Sequence, residues 1–469
     1  MSDEQQVRAL LARAAELPDD VQPPVQALIG QARRRRVWRN ALAVVAVAVV
    51  AAAGFTLPAV IRGIGSGGLL PAGSPPGDLF PAGSGRPLGP GPGPSAAAMA
   101  GFRWSTLPPS PLGARSQPLV AWAGRELIEL GGFRKGVSQY DGAAFSPATG
   151  RWRMIAPVRS NVGFLNAVDV WTGHQLFVAN GQNESCLITQ HAKSALARCL
   201  PHAGLYDPVT NTWSVTLLPR QMDGLDLTAA VWTGRVVVLV GVNTAHALLG
   251  VAAYNPASGR WRMITPALPA DHPPVGAAIV ATPDRLILWS LWSKSTRQSA
   301  TSVAVASGID VLALGPAGQW HTITGNWPQH KVVADPAYSN GTILIPPGQI
   351  WCGICSHPSF TYQAELTSPR TLDRTPIPAG PLAPHPGIEP GIWLWTGRAA
   401  IAANTSSYGP AAEQLMTISQ LGSYNPATKH WHLLPLPPGS PPIAASPLWT
   451  PTQLLLLTAT GKLLAFRAS

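Results

Sequence analysis

One eight-residue sentence recurs along this chain of 469 residues and limits what the chain can fold into. It reads Phe145-Ser-Pro-Ala-Thr-Gly-Arg-Trp152, Tyr206-Asp-Pro-Val-Thr-Asn-Thr-Trp213, Tyr254-Asn-Pro-Ala-Ser-Gly-Arg-Trp261 and Tyr424-Asn-Pro-Ala-Thr-Lys-His-Trp431. Its grammar is that of a hairpin. The aromatic residue ends a strand, and Asp, Asn or Ser opens a turn by bonding back to the backbone. Pro then presets φ, Gly or Asn accepts the left-handed position, and Trp opens the returning strand. Gly315-Pro-Ala-Gly-Gln-Trp320 is a degenerate copy and Ser368-Pro-Arg-Thr-Leu-Asp373 a worse one. Composition agrees: 49 Pro and only 12% charged residues exclude a coiled coil or a mostly helical enzyme. A hydrophobic fraction of 46% excludes disorder throughout.

A second sentence alternates with the first: an apolar strand, a tight turn and another apolar strand. Its turns start at Trp122, Trp171, Trp232, Ala281, Ser339, Trp395 and Trp449, with spacings of 49, 61, 49, 58, 56 and 54. That period suits a four-stranded propeller blade. Seven turns imply an all-β, seven-bladed β-propeller. Blade order is legible at 229–232, 236–240, 251–254 and 261–264, strands 1 to 4 of one unit. The ends predict closure: 102–107 reads as a strand 4 with no preceding strand 3. Residues 446–449, 453–457 and 462–466 supply strands 1 to 3 with no strand 4. The two should complete one blade together, which abolishes an open edge.

The aromatic-Asp/Asn-Pro-x-Thr-Asn/Gly-x-Trp sentence resembles the strand 3–4 hallmark of the kelch-type propellers, the superfamily that includes the galactose oxidase central domain. The likeness covers 101–469. It departs from the pattern at the double glycine that usually ends strand 2, present once as Gly131-Gly132 and elsewhere replaced, as by Val240-Gly241. The copper site of galactose oxidase cannot be mapped, because Tyr206, Tyr254 and Tyr424 belong to the repeat.

Upstream the chain changes character. Residues 40–61 carry no charge over 22 positions, about 33 Å of helix, enough for a ~30 Å hydrocarbon core. Arg33 to Arg36 and Arg39 precede this stretch, and Arg62 alone follows. A transmembrane helix over 37–62 is expected, with 1–36 a short cytoplasmic helical segment and the rest extracytoplasmic. A cleaved signal peptide would have a shorter basic start and a shorter apolar core. The localisation expected is the cell membrane, single-pass, and the excess of Arg over Lys suggests a GC-rich bacterial genome. Residues 63–100, with 23 of 38 positions Gly, Pro or Ser, read as a spacer unable to bury a core. Gly63, Gly65 and Gly68 match G-x-G-x-x-G, but no strand precedes them and no helix follows.

Strand alternation puts the 2–3 loops and 4–1 connections on one face of the disc and the tight 1–2 and 3–4 turns on the other. Length variation concentrates in the 2–3 loops near 180–202, 290–307, 348–361 and 404–421, which points to a binding face. Both cysteine pairs fall there. In an exported domain Cys186 with Cys199 and Cys352 with Cys355 is the simplest of three disulfide connectivities. The run Trp-Cys-Gly-Ile-Cys at 351–355 resembles the thioredoxin active-site pentapeptide, with Ile354 in place of Pro and no βαβ context. No motif for a serine hydrolase, a zinc protease or a nucleotide site occurs, and His430 and His432 lack a third metal ligand. No catalytic residue, cofactor or metal is expected. Over 101–469 the charge balance is a mild +8, 24 Lys and Arg against 16 Asp and Glu. Outside a membrane that suits anionic envelope polymers or lipid headgroups better than nucleic acid. The expectation is a membrane-anchored module that binds an extracytoplasmic protein or glycan, with 1–36 a candidate contact for a cytosolic partner. An envelope enzyme acting on carbohydrate is the alternative.

Overall fold

The computed structural model describes residues 79–81, 93–135, 137–158, 164, 167–179, 202–297, 303–323, 335–346, 349–350, 359–360, 364–378, 380–382, 389–408 and 415–468. The predicted span at 37–62, the segment 1–36 and all four cysteines lie outside them. Among the described residues no helix is long and apolar enough to cross a membrane.

The repeat sentence works as its chemistry dictates. Asn255 Oδ1 accepts from the Ala257 amide at 2.9 Å, and Asp207 and Asn425 do the same two residues ahead in their own turns. The left-handed position is filled by Gly259 at φ +67°, Asn211 at +55° and Lys429 at +58°. In the opposite turns an unanticipated residue acts. The Thr of Trp-Thr-Gly, buried in each case, caps the turn: Thr396 Oγ1 donates to the Ala399 carbonyl and accepts from its amide at 2.9 Å. Thr172, Thr233, Thr282 and Thr450 repeat that pair.

These turns fold seven four-stranded antiparallel sheets. Blade 1 is Leu119–Trp122, Leu127–Leu130, Gly142–Ser146 and Arg151–Met154. Blade 2 is Val168–Trp171, Leu176–Ala179, His202–Asp207 and Thr212–Leu217. Blade 3 is Asp226–Trp232, Val237–Asn243, Leu248–Asn255 and Arg260–Met263, and blade 4 Pro274–Ala281, Leu286–Arg297, Val303–Leu314 and Trp320–Thr322. Blade 5 is Ala337–Ser339, Thr342–Ile345, Glu365–Thr367 and Arg374–Pro376, and blade 6 Glu389–Trp395, Ala400–Tyr408, Leu415–Asn425 and His430–Leu433. Blade 7 takes Leu448–Trp449, Leu454–Leu457 and Leu463–Ala468 from one end of this array and Phe102–Leu107 from the other. Phe102 pairs with Ala468 and Leu107 with Leu463, the closure that the sequence predicts. Each first strand abuts the first strands of both neighbouring blades, and the series returns from blade 7 to blade 1. The ring is closed.

The core is spread over the seams. Second strands such as Val237–Asn243 are buried on both sides because a blade covers each face, and they read as continuous apolar runs. Along that strand Val238 and Val240 face the blade 3/4 seam while Val237 and Leu239 face the 2/3 seam. Seven apolar clusters result, one per seam. A polar latch joins most of them. The strand-4 Trp of one blade donates its indole N–H to the preceding blade, just beyond or within that blade's own fourth strand. Trp152 bonds the Pro108 carbonyl at 2.8 Å, Trp213 that of Ala156 at 2.9 Å, and Trp431 that of Pro378 at 2.9 Å. Trp104 and Trp320 latch carbonyls likewise, and Trp261 latches the Thr216 hydroxyl. Blade 5 has Arg374 where the others have Trp.

Two expectations change. The stretches 290–307 and 404–421 are not irregular loops: second and third strands keep pairing out to Arg297↔Val303 in blade 4 and Tyr408↔Leu415 in blade 6. Their Ser and Thr content reads as loop, yet the backbone pairing continues through it. Part of the Pro/Gly/Ser-rich spacer also packs into the body. Leu79 and Phe80 wedge into the blade 3/4 seam, where the Leu79 carbonyl accepts from Thr233 Oγ1 at 2.6 Å. Gly93 N–H donates to the Thr396 carbonyl at 2.7 Å, and a helical turn, Ala96–Met99, capped by Ser95, fills the 6/7 seam. Average composition hides four apolar side chains placed where seams open.

Candidate functional site on the hairpin face

The hairpin face carries two polar constellations among the described residues. The first stands at the base of the blade 4 hairpin. Strand alternation puts Ser290 and Trp292 of the second strand on one sheet face, with Asp310 and Gly308 opposite them in register. A Cβ at Gly308 would meet the Trp292 ring at 2.7 Å, so glycine there lets the indole lie flat across its partner strand. Onto that indole His272 stacks from the blade 3-to-4 connection, ring centroids 4.0 Å apart and planes within 7°. The connection is pinned by the Ser293 amide, which donates to the Pro273 carbonyl at 3.2 Å.

Asp310 fixes the imidazole. Its two carboxylate oxygens lie 2.9 and 3.0 Å from His272 Nδ1, and a carboxylate can only accept, so Nδ1 carries the proton. Nε2 bonds none of the described residues and, with the His272 side chain 25% exposed, reaches the surface. Ser290 Oγ, buried beside Asp310, has no hydrogen-bond partner among them either. A carboxylate-oriented imidazole of this kind accepts a proton or a hydrogen bond at Nε2. Stacked on tryptophan, it also presents one partly exposed polar edge.

The second constellation lies under the blade 1 loop. Arg115, nearly buried, grips Asp141 with both guanidinium nitrogens at 2.6 and 2.7 Å and the Gly131 carbonyl at 3.0 Å. Those hydrogen bonds hold the Asp141 carboxyl below its ordinary value. Glu129, on the second strand of blade 1, is fully buried. Its Oε2 accepts from Ser110 Oγ at 2.5 Å while Oε1 is without a hydrogen-bond partner among the described residues. Burial pushes its pKa up, against the opposing pull of the Ser110 bond and the Arg115 charge. This group lies at the 7/1 seam and reads as a closure device rather than a ligand site.

The residues singled out from sequence fall elsewhere. Cys186, Cys199, Cys352 and Cys355 are outside the described residues. His430 is exposed and its Nδ1 lies 2.6 Å from the Thr428 carbonyl of its own turn. Among the described residues no three His, Cys, Asp or Glu side chains cluster closely enough to hold a metal ion. The repeat tyrosines are packing residues: Tyr206 and Tyr254 sit against Trp213 and Trp261, and burial raises the pKa of both. His272, Trp292 and Asp310 were not legible, because no motif links three elements separated by 18 to 38 positions.

No protein-family model matches the chain, and no curated protein sequence matches it. Among solved structures it is similar to the "Structure of YjhT", with 17% identity, a TM-score of 0.41, and coverage of 58% of this chain and 87% of that one. The assignment as an all-β, seven-bladed propeller rests on the strand order and the closed ring themselves.

Proposed function

We propose that this protein is a kelch-type propeller, anchored in the membrane through 37–62, that recognises an extracytoplasmic protein or glycan on its hairpin face. The observation that carries the reading is the asymmetry of the disc. One face is built of two- to six-residue turns; the other projects paired strands from blades 4 and 6 and holds the His272–Asp310–Trp292 edge at the base of the blade 4 hairpin. The uncharged stretch 40–61 behind five arginines supports the anchor, and the repeat sentence supports the kelch assignment. The cysteine pairs Cys186/Cys199 and Cys352/Cys355 suit disulfides in an exported domain.

The test is a screen of glycans and envelope proteins against the full chain in lipid nanodiscs. Any hit should weaken at least tenfold in His272→Ala and be unaffected by Val209→Ala on the opposite face. Binding that ignores His272→Ala and removal of the blade 4 hairpin tip would place recognition elsewhere. A second reading, an enzyme acting on carbohydrate, is favoured by the oriented imidazole with Nε2 open to the surface. Turnover of a sugar that is lost in His272→Ala would establish it.

A further inference from the structure

The mild positive charge of the propeller is not evenly spread. The tight 1–2 and 3–4 turns and the strand ends beside them expose Arg125, Arg151, Arg260, Arg370, Arg398 and Lys429. None of the six takes part in an ion pair among the described residues. The same turns expose one described carboxylate, Asp373. On the hairpin face the described cations are interleaved with Asp141, Asp223, Asp226, Asp271 and Asp335, all exposed. The position before the strand-4 Trp opens the fourth strand beside its tight turn in blades 1 and 3, and it holds Arg151 and Arg260 there. The basic side is also the side where the chain enters the body. Leu79 wedges beside the Thr233 turn and Gly93 is held by the Thr396 turn, both on this face.

We infer that the tight-turn face docks on anionic phospholipid headgroups, so that the hairpin face points away from the bilayer. The inference rests on the reading of 37–62 as the anchor, and its geometry follows. Only 16 residues separate Arg62 from Leu79, a reach of at most about 55 Å when fully extended. The face on which Leu79 is fixed is therefore the one the tether draws toward the membrane. Six exposed cations against one exposed carboxylate, Asp373, with Glu126, Asp207 and Asp284 partly buried, suit a planar anionic surface, which neutralises many cations at once. Each such cation near the surface is worth about fivefold in partitioning.

The experiment uses the full chain reconstituted in phosphatidylcholine vesicles with or without phosphatidylglycerol, a fraction of the headgroups carrying a quencher. A fluorescent residue is placed at Val209, 91% exposed in the blade 2 tight turn, or at His246 in a hairpin-face turn. Docking predicts strong quenching at Val209 and little at His246, only with phosphatidylglycerol, and lost near ~1 M salt, where the Debye length is about 3 Å. The triple variant Arg151→Glu/Arg260→Glu/Lys429→Glu should abolish the quenching, while Lys294→Glu, on the hairpin face, should leave it as in the wild type. Equal quenching at both positions, or quenching independent of anionic lipid, overturns docking even if the chain floats with the vesicles after an alkaline wash. A chain stripped by that wash removes the anchor reading, and Val209 quenching at neutral pH then decides docking alone. Protection of the Val209 probe by long-chain polyphosphate but not by anionic vesicles assigns the face to a polymer and overturns the lipid.

Discussion

Blades 3 and 5 occupy the same kind of position in one ring, yet they join their upstream neighbours by different means. Blade 3 has the full sentence, strands of four to eight residues, and Trp261 latching to blade 2. Blade 5 has strands of three or four residues and Arg374 in the latch position. Its seam to blade 4 is filled instead by Leu372, buried in the left-handed position at φ +56° where blade 3 has Gly259. A β-carbon at that φ is strained, by about 1 kcal/mol, and a buried Leu offsets it by roughly 2 kcal/mol. The comparison teaches that the Trp of the repeat does two jobs, packing within its blade and bonding to the preceding one. Once it is lost, an otherwise forbidden side chain takes over the packing only.

The largest effect should come from breaking the closed seam that makes all the others equivalent. Deleting 102–107 removes the outer strand of blade 7 with Trp104, and should cost more than about 4 kcal/mol in a denaturant titration. An unchanged midpoint would mean that the ring does not depend on this pairing. Next, Trp213→Ala in a latched seam should cost about 3–5 kcal/mol. The equivalent Arg374→Ala should cost about 1 kcal/mol or less, since its contact with Glu365 is a long 3.5 Å pair at a partly exposed site. Equal losses would dissolve the distinction between the two blades. Leu372→Gly relieves strain but empties part of the 4/5 seam, and a net loss of roughly 1–2 kcal/mol is expected. A gain in stability would show that strain, not packing, governs that position.

The smallest effect concerns pH at the 7/1 seam. Glu129 has a folded pKa raised above its ordinary 4.5, so the folded chain holds the proton more tightly than the unfolded one. The stabilisation this gives is complete below about pH 4.5 and fades as pH rises through the raised value. Glu129→Gln, which mimics the neutral acid, should therefore match the wild type at low pH and melt progressively higher than it as pH increases. Parallel melting curves across that range would show that Glu129 does not change charge in the fold.

Much of this architecture can be read from residues alone, for a physical reason. Turn chemistry is local: Asp207, Pro208 and Asn211 specify their bend whatever surrounds it, and repetition reveals the period. Closure was legible because 102–107 repeats the outer-strand pattern without its partner. The latches were not, although each non-closing indole finds its acceptor 44 to 57 residues upstream, roughly one blade period. Nothing in a Trp says where its N–H points. The candidate site was least legible of all. His272, Trp292 and Asp310 meet only because a bulged first strand and an extended hairpin set their register, and each alone is an ordinary residue.

The pairing of Phe102–Leu107 with Leu463–Ala468 has a consequence in time as well as in space. Ser105 Oγ reaches the Ala465 carbonyl across 360 positions, so this contact closes a loop spanning nearly the whole disc. During synthesis, six blades can form and wait while the seventh is missing its centre. Until Leu463–Ala468 emerges, Phe102–Leu107 has no strand to pair with. The ring thus couples the emergence of Leu463–Ala468 to the completion of the fold.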